Sequence, residues 1–181
     1  YLILSQAISP GPVQLSEADG IQLIEMQKQA LNTLKEKKTN TARLLWNCII
    51  GSANQPIIGH IDNNFDLFNK EIEKVESQAY AVKRAIKYCD SGGFFLIHGP
   101  PGTGKTTVIT EIVRHFVSKG QKVLVTSHTN VAVDNVLENL TPFFKSKMTR
   151  LGVMTKVSEA LKDLVPVHKN EQYRLSTAKV V

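Results

Sequence analysis

Cysteine is scarce in this chain. Cys48 and Cys89 are the only two, and they stand apart with no C-x-x-C spacing, which excludes a disulfide framework and the usual zinc-ligand patterns. They are expected to be buried thiols of a reducing compartment, hence of an intracellular protein, nuclear or cytoplasmic. The five histidines show no ligand spacing either. Long apolar runs are missing: nothing approaches the roughly 20 residues of a membrane span, no signal-peptide pattern opens the chain, and no membrane partner is expected. Internal repeats and low-complexity tracts are also missing, which excludes solenoid and fibrous classes. The chain opens at Tyr1 without a methionine and reads as an excerpt of a longer one.

What is present is enough for one domain, or a domain with an appendage: 181 residues, 42% of them hydrophobic. Lys and Arg number 22 against 16 Asp and Glu, a net charge of +6. That balance suits a polyanion, nucleotide or nucleic acid, and equally suits a soluble basic surface with no such partner.

The most informative stretch is FFLIHGPPGTGKTT, from Phe94 to Thr107. Gly99, Gly104, Lys105 and Thr106 fit the phosphate-loop pattern G-x-x-x-x-G-K-[ST]. Glycines let backbone N–H groups turn onto phosphate oxygens without a Cβ clash, and a following helix aims its positive end at the same anion. The pattern makes Gly99, Pro100, Pro101, Gly102, Thr103, Gly104, Lys105, Thr106 and Thr107 the phosphate cradle. Lys105 is expected on the β/γ-phosphates and Thr106 on Mg²⁺. The apolar run Phe94–Ile97 reads as a buried strand before the loop. Ile109, Ile112, Val113, Phe116 and Val117 give helical spacing after it, closed by Gly120.

Along the chain, Pro10, Gly11 and Pro12 block any helix near the start. Ser16 and Asp19 form a capping signal for a long helix to about Lys38, with Ile21, Ile24, Leu31 and Leu34 on one face. A shorter helix follows through Trp46 to near Gly51, with Trp46 expected in a core. Ala53 to Asn69 is loop-like; Phe65 and Phe68 within it either pack over a base or anchor the loop. Glu71 to Tyr88 reads as one helix on Val75, Ala79, Val82 and Ile86, stopped by Gly92 and Gly93. Beyond the phosphate loop, Lys122 to Thr126 reads as a strand. Val133, Val136, Leu137 and Leu140 give a helix ended by Pro142, Thr149 to Leu151 a third strand, and Ser158 a cap for a short helix through Leu161 and Leu164. Strands alternating with helices imply a parallel sheet with right-handed crossovers.

From Ser77 to Gly152 the chain resembles the 5′→3′ branch of superfamily 1 helicases, the group of the nonsense-decay, immunoglobulin-mu-binding and replication nuclease-helicases. SQAYAVK, from Ser77 to Lys83, looks like the adenine-recognition block of that family. LIHGPPGTGKTT looks like its phosphate loop, and KVLVTSHTNVAVDNVLENL with Arg150, Leu151 and Gly152 looks like its motif Ia region and the strand beyond. The chain departs where Lys74 and Val75 replace a usual Leu-Asn. It departs again at Ser127, His128, Thr129 and Asn130, which replace Ala-Pro-Ser-Asn in a form closer to the replication nuclease-helicase.

The resemblance implies a RecA-like α/β domain, a parallel sheet flanked by helices, over residues 71–181. It also implies a helical stalk with its connecting loop over 16–70 and the end of a β-barrel or a linker over 1–15. It implies ATP and Mg²⁺ as cofactors, Gln78 reading the adenine edge, and Ser127, His128, Thr129 and Asn130 contacting single-stranded DNA or RNA, with DNA slightly ahead. A helix cap is the other role open to these residues, with Thr129 or Asn130 able to serve as both. The implied activity is that of an ATP-dependent helicase or translocase; a different P-loop ATPase or a nucleotide-binding regulatory module is the alternative. No strand ending in Asp-Glu follows the phosphate loop, and no arginine-bearing second domain is present. This stretch alone is therefore expected to lack hydrolysis. A truncated parallel sheet also exposes an edge, so self-association is expected.

Overall fold

The computed structural model describes residues 18–36, 43, 46–47, 50–51, 66–90, 95–166, 178 and 180, with side chains in the first helix from Ile24 onward. The chain divides into two compact units, Tyr1–Asn54 and Gln55–Val181.

In the first unit, α1 (Ala18–Glu36) is the long helix that the Ser16 signal announced. Ile24 and Leu31, two turns apart on its apolar face, are 52% and 61% exposed. Ser16, Lys37 and Lys38 lie outside the described residues, as does most of the second expected helix. Of that helix, a helical turn remains in which Ile50 N–H donates to the Trp46 carbonyl at 3.0 Å, and Trp46 is half-buried.

The second unit holds α2 (Lys70–Glu73), α3 (Glu76–Asp90), α4 (Lys105–Ser118) and α5 (Asn130–Phe144), followed by 3₁₀ turns at Lys145–Lys147, Met154–Lys156 and Glu159–Leu164. The helix α4 sits between two cores. Val108, Ile112 and Phe116 face Leu67, Ile72, Val82 and Ile86. Val113 and Val117 face Val133, Val136, Leu137, Leu140 and Leu161. A helix apolar over so wide an arc is one that must be covered on both sides.

Four local expectations are corrected. The single helix from Glu71 to Tyr88 is two. Asn69 caps α2, its side chain accepting from Glu71 N–H at 3.0 Å. Lys74 and Val75 N–H then fold back three residues, onto Glu71 and Ile72, so that Val75 ends 41% exposed. Pro142 does not end α5. It removes one backbone donor, and the ladder resumes with Lys145 N–H to the Thr141 carbonyl. Ser158 holds the cap position of the Glu159–Leu164 turn, but its side chain does not cap it: the hydroxyl donates to Glu138 Oε1 and the N–H to Asp134 Oδ2. Cys89 is exposed rather than buried, because the last turn of α3 runs past the core; Cys48 lies outside the described residues.

The described residues are mostly helical, in keeping with the helical layers of an α/β fold, and hold no continuous sheet. Val180 makes isolated parallel bridges to Val123 and to Met148. Thr149 N–H donates to the Val180 carbonyl at 2.9 Å, and Val180 N–H to that of Lys147 at 3.1 Å. Val123 and Val125 pack on a core, whereas Leu124 between them is 69% exposed. The run before the glycine loop alternates in the same way: Ile97 packs and Leu96 is 77% exposed. A fully buried strand was expected there. One face is covered by helices and the other is open among the described residues.

Candidate nucleotide and nucleic-acid site

The loop Gly99–Gly104 closes onto the first turn of α4. Gly104 is the residue before the helix, with φ 78° and ψ 24°, a left-handed conformation that an L side chain adopts at a cost. A Cβ there would stand 2.5 Å from Gln78 Nε2, and one at Gly99 would stand 2.7 Å from Thr103 Oγ1. The glycines therefore permit close approach as well as the turn.

Lys105 folds back over the loop, its ammonium donating to the Gly99 and Pro100 carbonyls, both at 2.6 Å. Thr103 Oγ1 donates to the Pro100 carbonyl at 2.8 Å. Gln78, on the first turn of α3, donates from Nε2 to the Thr103 carbonyl at 3.1 Å. The proposed adenine reader and the proposed phosphate cradle thus share one hydrogen-bonded cluster. Thr106 is half-buried and Thr107 exposed. No acidic residue lies in the first turn of α4, which leaves its backbone donors and positive end to an anion. Among the described residues no group of three or more His, Cys, Asp or Glu side chains is placed to hold a metal ion.

Ser127, His128, Thr129 and Asn130 stand exposed at the start of α5. Thr129 is the cap position, φ −120° and ψ 137°, but its side chain makes no cap hydrogen bond. Ser127 Oγ accepts from Thr129 N–H at 3.3 Å. Asn130 does not cap either: its Oδ1 accepts from Arg150 Nη2 at 2.9 Å.

Two constellations escaped sequence reading. In the first, Arg150 and Asp134, side chains 7% exposed, pair at 2.7 Å through Nε and Oδ1, and Asp134 Oδ2 accepts from Ser158 N–H at 2.9 Å. The signal was available. Asp134 falls on the apolar stripe of α5 between Val133 and Val136, and a carboxylate there requires a partner. In the second, buried Glu111 on α4 accepts from the N–H groups of Phe68, at 2.5 Å, and Asn69, at 3.3 Å. Arg114 lies 3.5 Å from Glu111 and covers the rings of Phe68 and Phe143, 4.9 Å and 3.9 Å from their centroids. Phe68 therefore anchors its loop; Phe65 lies outside the described residues. These side chains, with Thr110 and Asn139, border a cavity of about 620 Å³.

Residues 73–179 match the family described as "AAA domain". The DNA-binding protein SMUBP-2 of Mesocricetus auratus is 34% identical over 133 residues, 74% of this chain and 13% of the relative. The chain belongs to the AAA-domain family of superfamily 1 helicases. An ATP-dependent helicase of Methanocaldococcus jannaschii is 36% identical over 136 residues, 74% of this chain and 19% of its own length. The DNA replication ATP-dependent helicase/nuclease DNA2 of Saccharomyces cerevisiae is 51% identical over 90 residues, half of this chain and 6% of the yeast protein. This AAA-domain chain thus spans less than a fifth of each of these relatives. No described helix is long and apolar enough to cross a membrane.

Proposed function

We propose that this chain is the ATP-binding part of an intracellular helicase or translocase motor that moves on single-stranded nucleic acid, DNA ahead of RNA. The carrying observation is the cluster of Gln78, the Gly99–Gly104 loop, Lys105 and the N-terminus of α4. Parallel bridging of Val180 to both Val123 and Met148 supports a RecA-like sheet behind it. The stalk reading of residues 16–70 rests on the long α1, and residues 1–15 are read as the end of a β-barrel or a linker.

In this reading the loop's N–H groups and Lys105 bind the phosphates. Lys105 reaches them by exchanging the Gly99 and Pro100 carbonyls for phosphate oxygens, a stronger, charge-assisted partner. Gln78 offers an amide donor and acceptor to the adenine edge. Thr106 would offer its hydroxyl to a Mg²⁺ bound with the nucleotide, an ion that would neutralise phosphate charge. ATP supplies the phosphoryl transfer whose free energy drives movement. Ser127 to Asn130 hold the strand by hydrogen bonds to phosphate or sugar, a role that the names of the DNA-binding relatives favour for DNA.

Competition binding with a fluorescent ATP analogue tests this. Lys105→Ala is expected to abolish binding, and Gln78→Ala to reduce the preference for ATP over GTP. Equal competition by all nucleotides in the unaltered chain would sink the adenine assignment. Undiminished binding by Lys105→Ala would sink the cradle.

A further inference from the structure

Asn130 is a side chain whose two ends are chemically opposite, and its neighbour decides which end faces outward. Arg150 has donors only. With Arg150 Nη2 at 2.9 Å, the near atom of the Asn130 amide must be the acceptor Oδ1, which turns the Nδ2 donors away from the protein. The arginine cannot reorient to release it. Its Nε is held by Asp134, its Nη1 donates to the Leu151 carbonyl, and Asp134 is itself fixed by Ser158 N–H. Each of the three guanidinium nitrogens is engaged, and the contact to Asn130 is the one that reaches the exposed end of α5.

From this geometry we infer that Arg150 is a positioning residue for the strand site: it locks Asn130 with its amide N–H groups outward, so that this side chain offers donors only. An anionic or ether oxygen of a nucleic-acid backbone fits such a surface, and a donor group does not. The inference rests on the reading of Asn130 as a strand contact. Lysine in place of Arg150 still neutralises Asp134 but has a single ammonium, which cannot serve Asp134 and Asn130 in two fixed directions. Asn130 then turns freely and presents its carbonyl as often as its donors.

The test is a double-substitution cycle on the 181-residue chain, read as affinity for a fluorescein-labelled oligo-dT at low salt. Asn130→Ala is expected to weaken binding about five-fold, the worth of one hydrogen bond. Arg150→Lys is expected to weaken it about as much, with an unchanged circular dichroism spectrum, and the double variant no more than Asn130→Ala alone. Multiplicative losses mean that Arg150 acts only on the fold and overturn the inference, as does full affinity in Arg150→Lys. If Asn130→Ala binds like the unaltered chain, the strand-contact reading itself fails, and the inference with it. Should Arg150→Lys not fold, the Asn130 side-chain amide of the unaltered, ¹⁵N-labelled chain decides: its two protons must exchange with water like a free amide and shift on adding oligo-dT, and protected or unshifted protons overturn the inference.

Discussion

Gln78 donates from Nε2 to the Thr103 carbonyl at 3.1 Å, which ties the start of α3 to the loop that precedes α4. The next residue, Gly104, leaves no room for a side chain: a Cβ there would meet the same Gln78 nitrogen at 2.5 Å.

Gly104→Ala is therefore expected to expel Gln78 from the cluster and to destabilise the chain by about 1–2 kcal/mol through the left-handed backbone alone. Urea unfolding measures the loss. Combining it with Gln78→Ala relieves the contact but not the backbone cost, so only part of the stability returns. A neutral Gly104→Ala would show that the loop relaxes at no cost.

Glu111 is buried beneath the 67–69 segment and accepts two of its N–H groups. Glu111→Ala leaves those donors unpaired and is expected to cost about 2–3 kcal/mol, Glu111→Gln distinctly less because an acceptor remains. Faster hydrogen exchange at the Phe68 amide locates the effect. Equal costs for the two variants would deny the role of these hydrogen bonds.

His115 is held below the ordinary histidine value of 6.5, first by desolvation and next by the Lys119 charge, with Asp90 opposing. The unfolded chain then binds more protons than the folded one through this window, so stability rises with pH. Its contribution is complete above the unfolded value and is lost as pH falls through the lower folded value. Unfolding midpoints are expected to drop between about pH 7 and 5, and His115→Gln to flatten that slope. An identical slope in the variant assigns the dependence to other groups.

Cys89 lies on an exposed turn, yet its thiol is pushed above the usual 9.0 by desolvation and then by the Asp90 charge. Thiolate is the reactive form. Iodoacetamide should therefore label Cys89 with a half-rate pH above that of free cysteine, and Asp90→Asn should bring it part of the way back. Labelling at the free-cysteine pH would contradict both causes.

The glycine loop was legible because each position demands a residue type, and α3, α4 and α5 because Val82, Ile86, Val113 and Leu137 keep a helical period. The break at Lys74 and Val75 was not, since Val75 fits the same period and only hydrogen bonds back to Glu71 and Ile72 reveal the turn. Leu96 read as buried, because an apolar run does not say how many of its faces are covered. The Asp134–Arg150 pair was half legible: the carboxylate on an apolar stripe announced a need, but the partner came from another element. Gln78 was placed beside the loop by family likeness alone; nothing in its own neighbourhood on α3 points to Thr103.

Val180 is last in sequence among the three bridged positions and stands between the other two, with Val123 and Met148 each bridged to it. The outer two segments leave the ribosome first and have to wait for their middle partner. Until it emerges, the helices α4 and α5 can pair locally, while the layer behind them stays open at its centre. Closing that layer thus requires a late segment to enter between two early ones, a long-range step that local pairing of the helices does not need.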